Sequence, residues 1–334
     1  MPRVSVLLPV RDEEPTLAEA LDSLLAQRKA DFEIVAVDDG SADASPTILD
    51  AFADRDRRVR VVRQEASGIV AALQNAVTHA SGDILARMDA DDSCPPDRLA
   101  KQLALLRSDP SLGLVGTQVG PMPGERWGGG WRHYAKWQNA LTTPDAIARE
   151  IWAECPIAHP SWMMTRAAYD ASGGYRECGW PEDYDLLLSM HRAGVRFAKV
   201  DEVLLRWRDR PDRLSRTDDR YSPDAFARCK AHHLARGPLV GVREVGVWGA
   251  GRTTRKRAEH LVAEGIEIAA YVDVDPKKIG HLVHGRPVLA PADIPRPAPW
   301  PMLAYVGSRG AREQIRAVCR ELGFVEGMDI LICG

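Results

Sequence analysis

Four short apolar runs alternate with segments of helical periodicity through the first 90 residues, and few folds accept that order. Val4–Val10 is an almost unbroken apolar run that takes in Pro9, the pattern of a strand buried on both faces. Residues 16–27 follow, with Leu17, Ala20, Leu21, Leu24 and Leu25 at helical spacing. Residues 32–37 read as a second buried strand, stopped by Asp38-Asp39-Gly40-Ser41. Ser45-Pro46 opens a helix to about residue 53, with proline at the first helical position, where its missing N–H costs nothing. Residues 59–63 make a third strand, 68–80 a helix, and 84–88 a fourth strand that runs into Asp89. A β-α-β-α-β-α-β order implies a mostly parallel, doubly wound α/β sheet. The first residues lack the basic flank and small-residue cleavage site of a signal peptide, so 4–10 is expected to be structure rather than leader.

In such sheets, ligands sit beyond the carboxyl ends of the strands. Those ends are residues 9–12, 38–41 and 89–92, and two of the three are carboxylate clusters. Asp-Gly and Asp-Ser are ordinary turn formers. Carboxylates converging from two strand ends repel, however, unless a cation or hydrogen-bond donors lie between them. In Met88-Asp89-Ala90-Asp91-Asp92 a D-x-D follows a buried strand. Oxygen-only ligands suit Mg²⁺ or Mn²⁺ and leave coordination positions that a diphosphate can fill.

The remainder of the chain is less regular at first. Seven tryptophans lie between residues 113 and 236, around a loop-like stretch at 121–130 with Gly128-Gly129-Gly130 at its tip. Residues 136–141, 144–153 and 182–193 read as helices, the last ended by Gly194. The character changes at Gly237-Pro238. A strand at 244–248, Gly249-Ala250-Gly251, a basic helix at 252–264 and a strand at 268–272 ending on Asp273 begin a second α/β unit. Strands at 302–306 and 329–333 flank a helix at 311–322, after a stiff proline-rich connection at 290–301. The expected domains are 1–236 and 243–334, with the boundary near 236–243. A length of 334 residues agrees with roughly two domains of about 150.

Composition excludes other classes. Lys+Arg is 44 and Asp+Glu 47, a net charge of −3, which argues against a protein that grips bare nucleic acid. The 45% hydrophobic and 27% charged fractions exclude disorder over most of the length. No run approaches the ~18–20 apolar residues of a membrane span. A cytoplasmic protein is therefore expected, and peripheral attachment at the inner face of the membrane stays open. Cys94, Cys155, Cys178, Cys229, Cys319 and Cys333 form no C-x-x-C pair and read as reduced thiols.

Several motifs together resemble family 2 glycosyltransferases of GT-A fold. They are residues 4–13, Val37-Asp38-Asp39-Gly40-Ser41, Ser81-Gly82-Asp83-Ile84, Met88-Asp89-Ala90-Asp91-Asp92, Pro96-Asp97-Arg98-Leu99, Gly173-Gly174-Tyr175-Arg176-Glu177 and Pro181-Glu182-Asp183-Tyr184-Asp185-Leu186. The resemblance covers roughly residues 1–220. It implies a nucleotide-diphospho-sugar transferase fold with a mostly parallel mixed sheet. Residues 1–112 would be the nucleotide-binding half and 113–236 the acceptor half. The implied reaction is metal-dependent, inverting transfer of a sugar from a nucleotide-sugar, UDP by family habit, to a saccharide or lipid-linked saccharide hydroxyl.

Carried over by position, Pro9, Val10, Arg11 and Asp12 would line the nucleotide, and Asp39 would accept from the base. Asp89 would contact the ribose or the metal-bound diphosphate, and Asp91 would ligate Mn²⁺ or Mg²⁺. Asp183 would be the general base, with Glu182 supporting it or positioning the acceptor. Two departures stand out. Arg11-Asp12 replaces a common Tyr-Asn, and Arg210 stands where many members have a metal-ligating histidine. Arginine cannot ligate, so Arg210, Arg208 or Arg213 would grip a phosphate oxygen or form a solvated basic face. Trp180 and His159 are candidate acceptor contacts, although a lone histidine beside an apolar strand is more often structural.

Gly249, Gly251 and Asp273 mimic a dinucleotide fingerprint whose third glycine is replaced by Thr254. The C-terminal unit looks like a small Rossmann-like module. A structural, acceptor-positioning or dimerising role is expected there rather than a bound NAD(P). Two rivals remain. A nucleotidyltransferase acting on sugar phosphates would need a basic, glycine-rich loop where Arg11-Asp12-Glu13-Glu14 stands. A non-catalytic nucleotide- or NAD-binding module led by the C-terminal unit would bind a nicotinamide cofactor without turning over any sugar nucleotide.

Overall fold

The computed structural model describes residues 3–334. In chain order the elements are β1 (Val4–Val10), α1 (Leu17–Leu25), β2 (Phe32–Asp39), α2 (Ser45–Arg55), β3 (Val59–Gln64), α3 (Ile69–His79), β4 (Ile84–Arg87), α4 (Arg98–Ser108), β5 (Leu112–Pro121), α5 (Gly129–Ala140), α6 (Pro144–Glu150), β6 (Met163–Thr165), α7 (Arg166–Ala171), α8 (Glu182–Arg192) and β7 (Arg196–Trp207). They continue with α9 (Leu214–Thr217), α10 (Pro223–Ala235), β8 (Glu244–Trp248), α11 (Arg252–Ala263), β9 (Glu267–Val272), β10 (Leu282–Val283), β11 (Arg286–Leu289), β12 (Met302–Ala304), α12 (Ala311–Glu321) and β13 (Ile330–Ile332). The chain divides into two compact units. The first runs to residue 147 and adds Pro156–Cys178 and Asp185–Thr217. The second holds Ala148–Cys155, Gly179–Tyr184 and Asp218–Gly334.

The first unit is built on a seven-stranded sheet of order β3-β2-β1-β4-β6-β5-β7. β1 pairs in parallel with β2 on one side and β4 on the other, so the strand order reverses beside β1. All seven residues of β1 and all eight of β2 are buried, as continuous apolar runs demand when helices cover both faces. Val10 lies opposite Asp38 in the register, and Leu7 opposite Arg87. The three polar strand ends therefore emerge along one edge of the sheet. β6 runs antiparallel to both β4 and β5, which makes the sheet mixed.

The reading of the first 90 residues agrees with these elements to within two residues at most ends. Beyond them it differs. α5 begins at Gly129, inside the stretch expected to be loop, because the glycine triplet leads directly into a helix that presents Trp131 and Tyr134 to the core. α6 stops at Glu150, where residues 151–153 continue as turn.

The second unit holds a six-stranded sheet of order β10-β11-β9-β8-β12-β13, parallel except for the β10–β11 hairpin. Its core gathers Trp248, Val272, Trp300, Met302 and Ile330. Gly246 admits the Trp300 ring, which would meet an added Cβ at 2.0 Å. The expected boundary at 236–243 lies inside this unit, which takes in α10 as well. Among the described residues, no helix is long and apolar enough to cross a membrane.

Candidate active site

At the end of β4 the chain turns through Asp89, Asp91 and Asp92, whose carboxylate oxygens all lie within 4.8 Å of one another. Asp89 pairs with Arg87, itself buried in β4. Asp92 is 1% exposed. Its Oδ1 accepts the Arg208 N–H at 2.9 Å, while its buried Oδ2 finds no hydrogen-bond partner among the described residues. Burial, then the charges of Asp89 and Glu13, push the Asp91 carboxyl up to about 6, against the pull of Arg210 and Arg213. Burial, then the charges of Asp91 and Asp89, raise Asp92 well above its ordinary 3.8. A buried carboxylate oxygen without a donor is costly. A divalent cation suits this set of oxygens, so the residues fit such an ion. The sequence motif indicated Asp89 and Asp91; Asp92 is the ligand candidate it missed.

The arginines near residue 210 are tied to this cluster rather than solvated. The end of β7 bridges to Ser93, with Ser93 N–H donating to Arg206 O at 3.2 Å and Arg206 N–H to Ser93 O at 2.7 Å. That brings Arg208 over the acidic turn, where its Nε donates to Asp91 O at 2.9 Å and its Nη2 to Glu19 at 2.7 Å. Arg210 grips Glu13 with two bonds of 2.8 and 2.6 Å, and its Nε lies 3.4 Å from Asp91 Oδ2. Arg213 stacks over Trp131 and Trp207 at 4.9 and 4.7 Å. Glu13 closes the first motif but was assigned no role there, because its partner Arg210 lies almost two hundred residues away.

The other two strand ends form a network of side chains on backbone. Asp39 is buried; its Oδ1 accepts from Ser67 N–H at 2.8 Å and Gln64 at 2.7 Å, and its Oδ2 from Gly68 N–H at 2.8 Å. Arg11 approaches Asp39 Oδ2 to 3.6 Å while remaining half exposed. Asp12, at φ +52°, accepts the Ala42 N–H at 2.7 Å and donates its own N–H to Ser41 Oγ at 3.0 Å. Gly40 lets the turn after β2 pack against the chain at Ala66, since an added Cβ would meet Ala66 N at 2.7 Å and its φ is +68°. Pro9 and Val10 are buried in β1 beneath these turns. Arg11, Asp12 and Asp39 are thus brought together, with Asp39 already holding three donors.

The Glu182-Asp183 pair opens α8. Glu182 is buried and accepts the Tyr221 hydroxyl at 2.7 Å. Asp183 Oδ1 accepts the N–H of Tyr184 at 2.7 Å. Tyr221 was not singled out from the sequence; a tyrosine in a polar stretch carries no signal of its own. Trp180 lies against His232, with ring centroids 5.1 Å apart. His159 is enclosed: its Nε2 meets Tyr175 OH at 2.7 Å and its ring packs on Trp162 at 4.7 Å. Burial, then Arg87, holds its pKa well below 6.5, as expected of a neutral structural imidazole.

In the second unit Gly249 has φ +107° and Val306 and Thr254 crowd its missing side chain at 2.7 and 2.9 Å. Gly251 precedes α11 with open space around it. Asp273 Oδ2 accepts the Ala250 N–H at 2.8 Å and pairs with Lys278 at 3.0 Å, and its Oδ1 accepts the Asp275 N–H at 3.0 Å. The acid at the end of β9 is thus occupied by the turn after β8 and by its own loop.

A family model described as "Glycosyl transferase family 2" matches residues 5–173. EpsE of Bacillus subtilis (strain 168), which bears a glycosyltransferase name, is 31% identical over 228 residues, 67% of this chain and 79% of its own. Among solved structures, S. aureus TarS 1-349 in complex with UDP-GlcNAc superposes with a TM-score of 0.57 at 17% identity, over 78% of this chain and 71% of that one. The mannosyltransferase PcManGT from Pyrobaculum calidifontis, in complex with GDP-Man and Mn²⁺, gives 0.51 at 23% identity, over 79% and 71%. At these identities the structural likenesses establish the fold alone.

Proposed function

The chain belongs to glycosyl transferase family 2 and is a glycosyltransferase, and from that premise we propose that it moves a sugar from a nucleotide-sugar, a UDP-sugar, to a hydroxyl of a saccharide or glycoconjugate with inversion at the transferred carbon. The observation that carries the reading is the trio of Asp89, Asp91 and Asp92 at a parallel strand end, with one buried oxygen unsatisfied. These three would hold Mn²⁺ or Mg²⁺, which when bound supplies positive charge against the leaving diphosphate. Asp39 and the turn at residues 9–12 would seat the nucleotide. The UDP-GlcNAc of the TarS complex and the GDP-Man and Mn²⁺ of the PcManGT complex support donor and metal of these classes.

A sugar hydroxyl is a poor nucleophile near neutral pH, so a carboxylate must take its proton during attack. Asp183 fills that role in this reading. Attack from the face opposite the diphosphate inverts the centre. Arg208 and Arg210, engaged by Glu19 and Glu13, order the acidic turn. The second sheet is read as a Rossmann-like accessory unit that supports structure or acceptor, because Asp273 is committed to Ala250, Asp275 and Lys278. The test is a panel of UDP-, GDP- and dTDP-sugars assayed for nucleotide release with and without Mn²⁺. Mn²⁺-dependent release from at least one UDP-sugar is expected. Release that is indifferent to Mn²⁺ and EDTA would refute the metal assignment.

A further inference from the structure

Tyr221 is held with more care than its place in a polar linker requires. Asp218 caps the short 3-10 turn at Asp219–Tyr221 by accepting the Arg220 N–H. One residue on, Ser222 Oγ accepts the Ala225 N–H at 3.2 Å and starts α10. The start of α8 is pinned as well. Tyr184 OH donates to Ile151 O at 2.7 Å, and its ring lies 5.7 Å from Phe226 of α10. Between these fixed ends the Tyr221 hydroxyl donates to Glu182 Oε2 at 2.7 Å. Burial, then the charges of Glu182 and Asp183, keep Tyr221 well above its ordinary 10, so at neutral pH it offers a proton and does not become a phenolate.

We propose that Tyr221 is a positioning residue for the proton-accepting pair: its O–H fixes the Glu182 carboxylate at the start of α8, beside Asp183, the group that takes the acceptor's proton in the reading above. The inference rests on the functional reading above. A bond of 2.7 Å from a capped turn holds the Glu182 carboxylate in one place beside Asp183. Acceptor hydroxyl to Asp183 is then a single proton transfer as the sugar–phosphate bond breaks and the new glycosidic bond forms. Tyr221 itself exchanges no proton with substrate.

The test uses the nucleotide sugar hydrolysed fastest in the panel above, with water as acceptor. Tyr221→Phe should lower kcat by about tenfold, the worth of one hydrogen bond to a charged group. Donor KM and UDP affinity should stay within about twofold, since neither depends on this pair in the reading. Glu182→Ala should lower kcat at least as far, and the double variant should lose no more than the worse single one, because both remove the same bond. A purely structural tyrosine would lower the melting temperature and give additive losses. An unchanged kcat in Tyr221→Phe, or additivity in the double variant, would overturn the inference. Asp183→Asn separates the levels. If it abolishes turnover while Tyr221→Phe is silent, only the inference falls; if it turns over normally, the base assignment falls and the inference with it. Hydrolysis of none of the donors would defeat the functional reading itself.

Discussion

Asp92 shows how much one residue depends on a chain segment far from it. In Met88-Asp89-Ala90-Asp91-Asp92 the spacing points to Asp89 and Asp91, and Asp92 reads as one more polar turn residue. Its burial comes from β7, where Arg206 pairs with Ser93 and the Arg208 N–H seals Asp92 Oδ1. No local pattern encodes a contact across more than a hundred residues. Neutralising such a group separates its two roles. Asp92→Asn keeps an oxygen for Arg208 and removes a buried charge, so the melting temperature should hold or rise. Mn²⁺ affinity, read by calorimetry in the presence of UDP, should fall by about 10–100-fold, as at other lost ligand-shell groups. Asp91→Ala should lose Mn²⁺ and UDP binding together with the fold intact. Unchanged Mn²⁺-dependent UDP binding in both variants would remove the metal from this cluster. Asp183→Asn is expected to leave UDP binding alone and to cut turnover by about 10²–10⁴-fold, the usual worth of a positioned base. The sequence singles out the Glu182-Asp183 pair as a candidate, yet is silent on Tyr221, whose contact with Glu182 arises only when the turn before α10 brings it there.

At the level of elements, β1 and β2 were legible because unbroken apolar runs, buried on both faces, mark them. β7 mixes Arg196, Lys199, Asp201 and Glu202 with its apolar residues, and two buried stretches flank an exposed middle; its length becomes secure only through the long pairing with β5. Register at the opposite edge of the sheet is fixed by a different device. Glu33 of β2 accepts from Ser5 Oγ of β1 at 2.6 Å and from Ser81 N–H and Oγ at 2.7 Å each, and Ser5 Oγ accepts the Gly82 N–H at 2.9 Å. One carboxylate thereby ties β1, β2 and the turn before β4. Burial alone would raise its pKa; the hydrogen bonds from Ser5 and Ser81, with Arg3 nearby, outweigh it and hold Glu33 below 4.5. The sign follows: a lowered folded pKa adds stability that is fully present above about 4.5 and is lost as pH falls through the folded value. Glu33→Gln should cost about 1.5–3 kcal/mol at pH 7, the range for hydrogen bonds to a charged group. The gap from the parent chain should narrow below about pH 4 in thermal melts across pH. A gap independent of pH would mean that packing, not the charge, is what the substitution disturbs.

Across the whole molecule, two sheets were legible because each brings its own run of strands and helices, whereas the division between units was not. The second unit recruits Ala148–Cys155, Gly179–Tyr184 and α10, segments that precede the composition change at Gly237. Lys230 of α10 explains part of that recruitment. It is 8% exposed, and its ammonium donates to Ala153 O at 3.1 Å and also to Cys333 O near the end of the chain. Burial, ahead of the opposing pull of neighbouring groups, lowers its pKa. A chain ended at Gly237 keeps Lys230 and the buried face of α10, Ala225, Ala227, Cys229, Ala231 and Leu234, but loses the sheet with which they are grouped. Asp39, Asp89, Asp91 and Asp92 all lie in the first unit, so UDP binding with Mn²⁺ should survive this truncation within about threefold, a change of under 1 kcal/mol. Stability should not survive as well. The freed helix should lower the melting temperature and promote association through its exposed apolar face, and ending the chain at Thr217 instead should relieve the association while sparing UDP affinity. Calorimetry with UDP and Mn²⁺, beside size-exclusion profiles of the two truncated chains, decides the matter: loss of UDP binding in a chain that keeps its native circular dichroism would show that the donor site draws on the second unit.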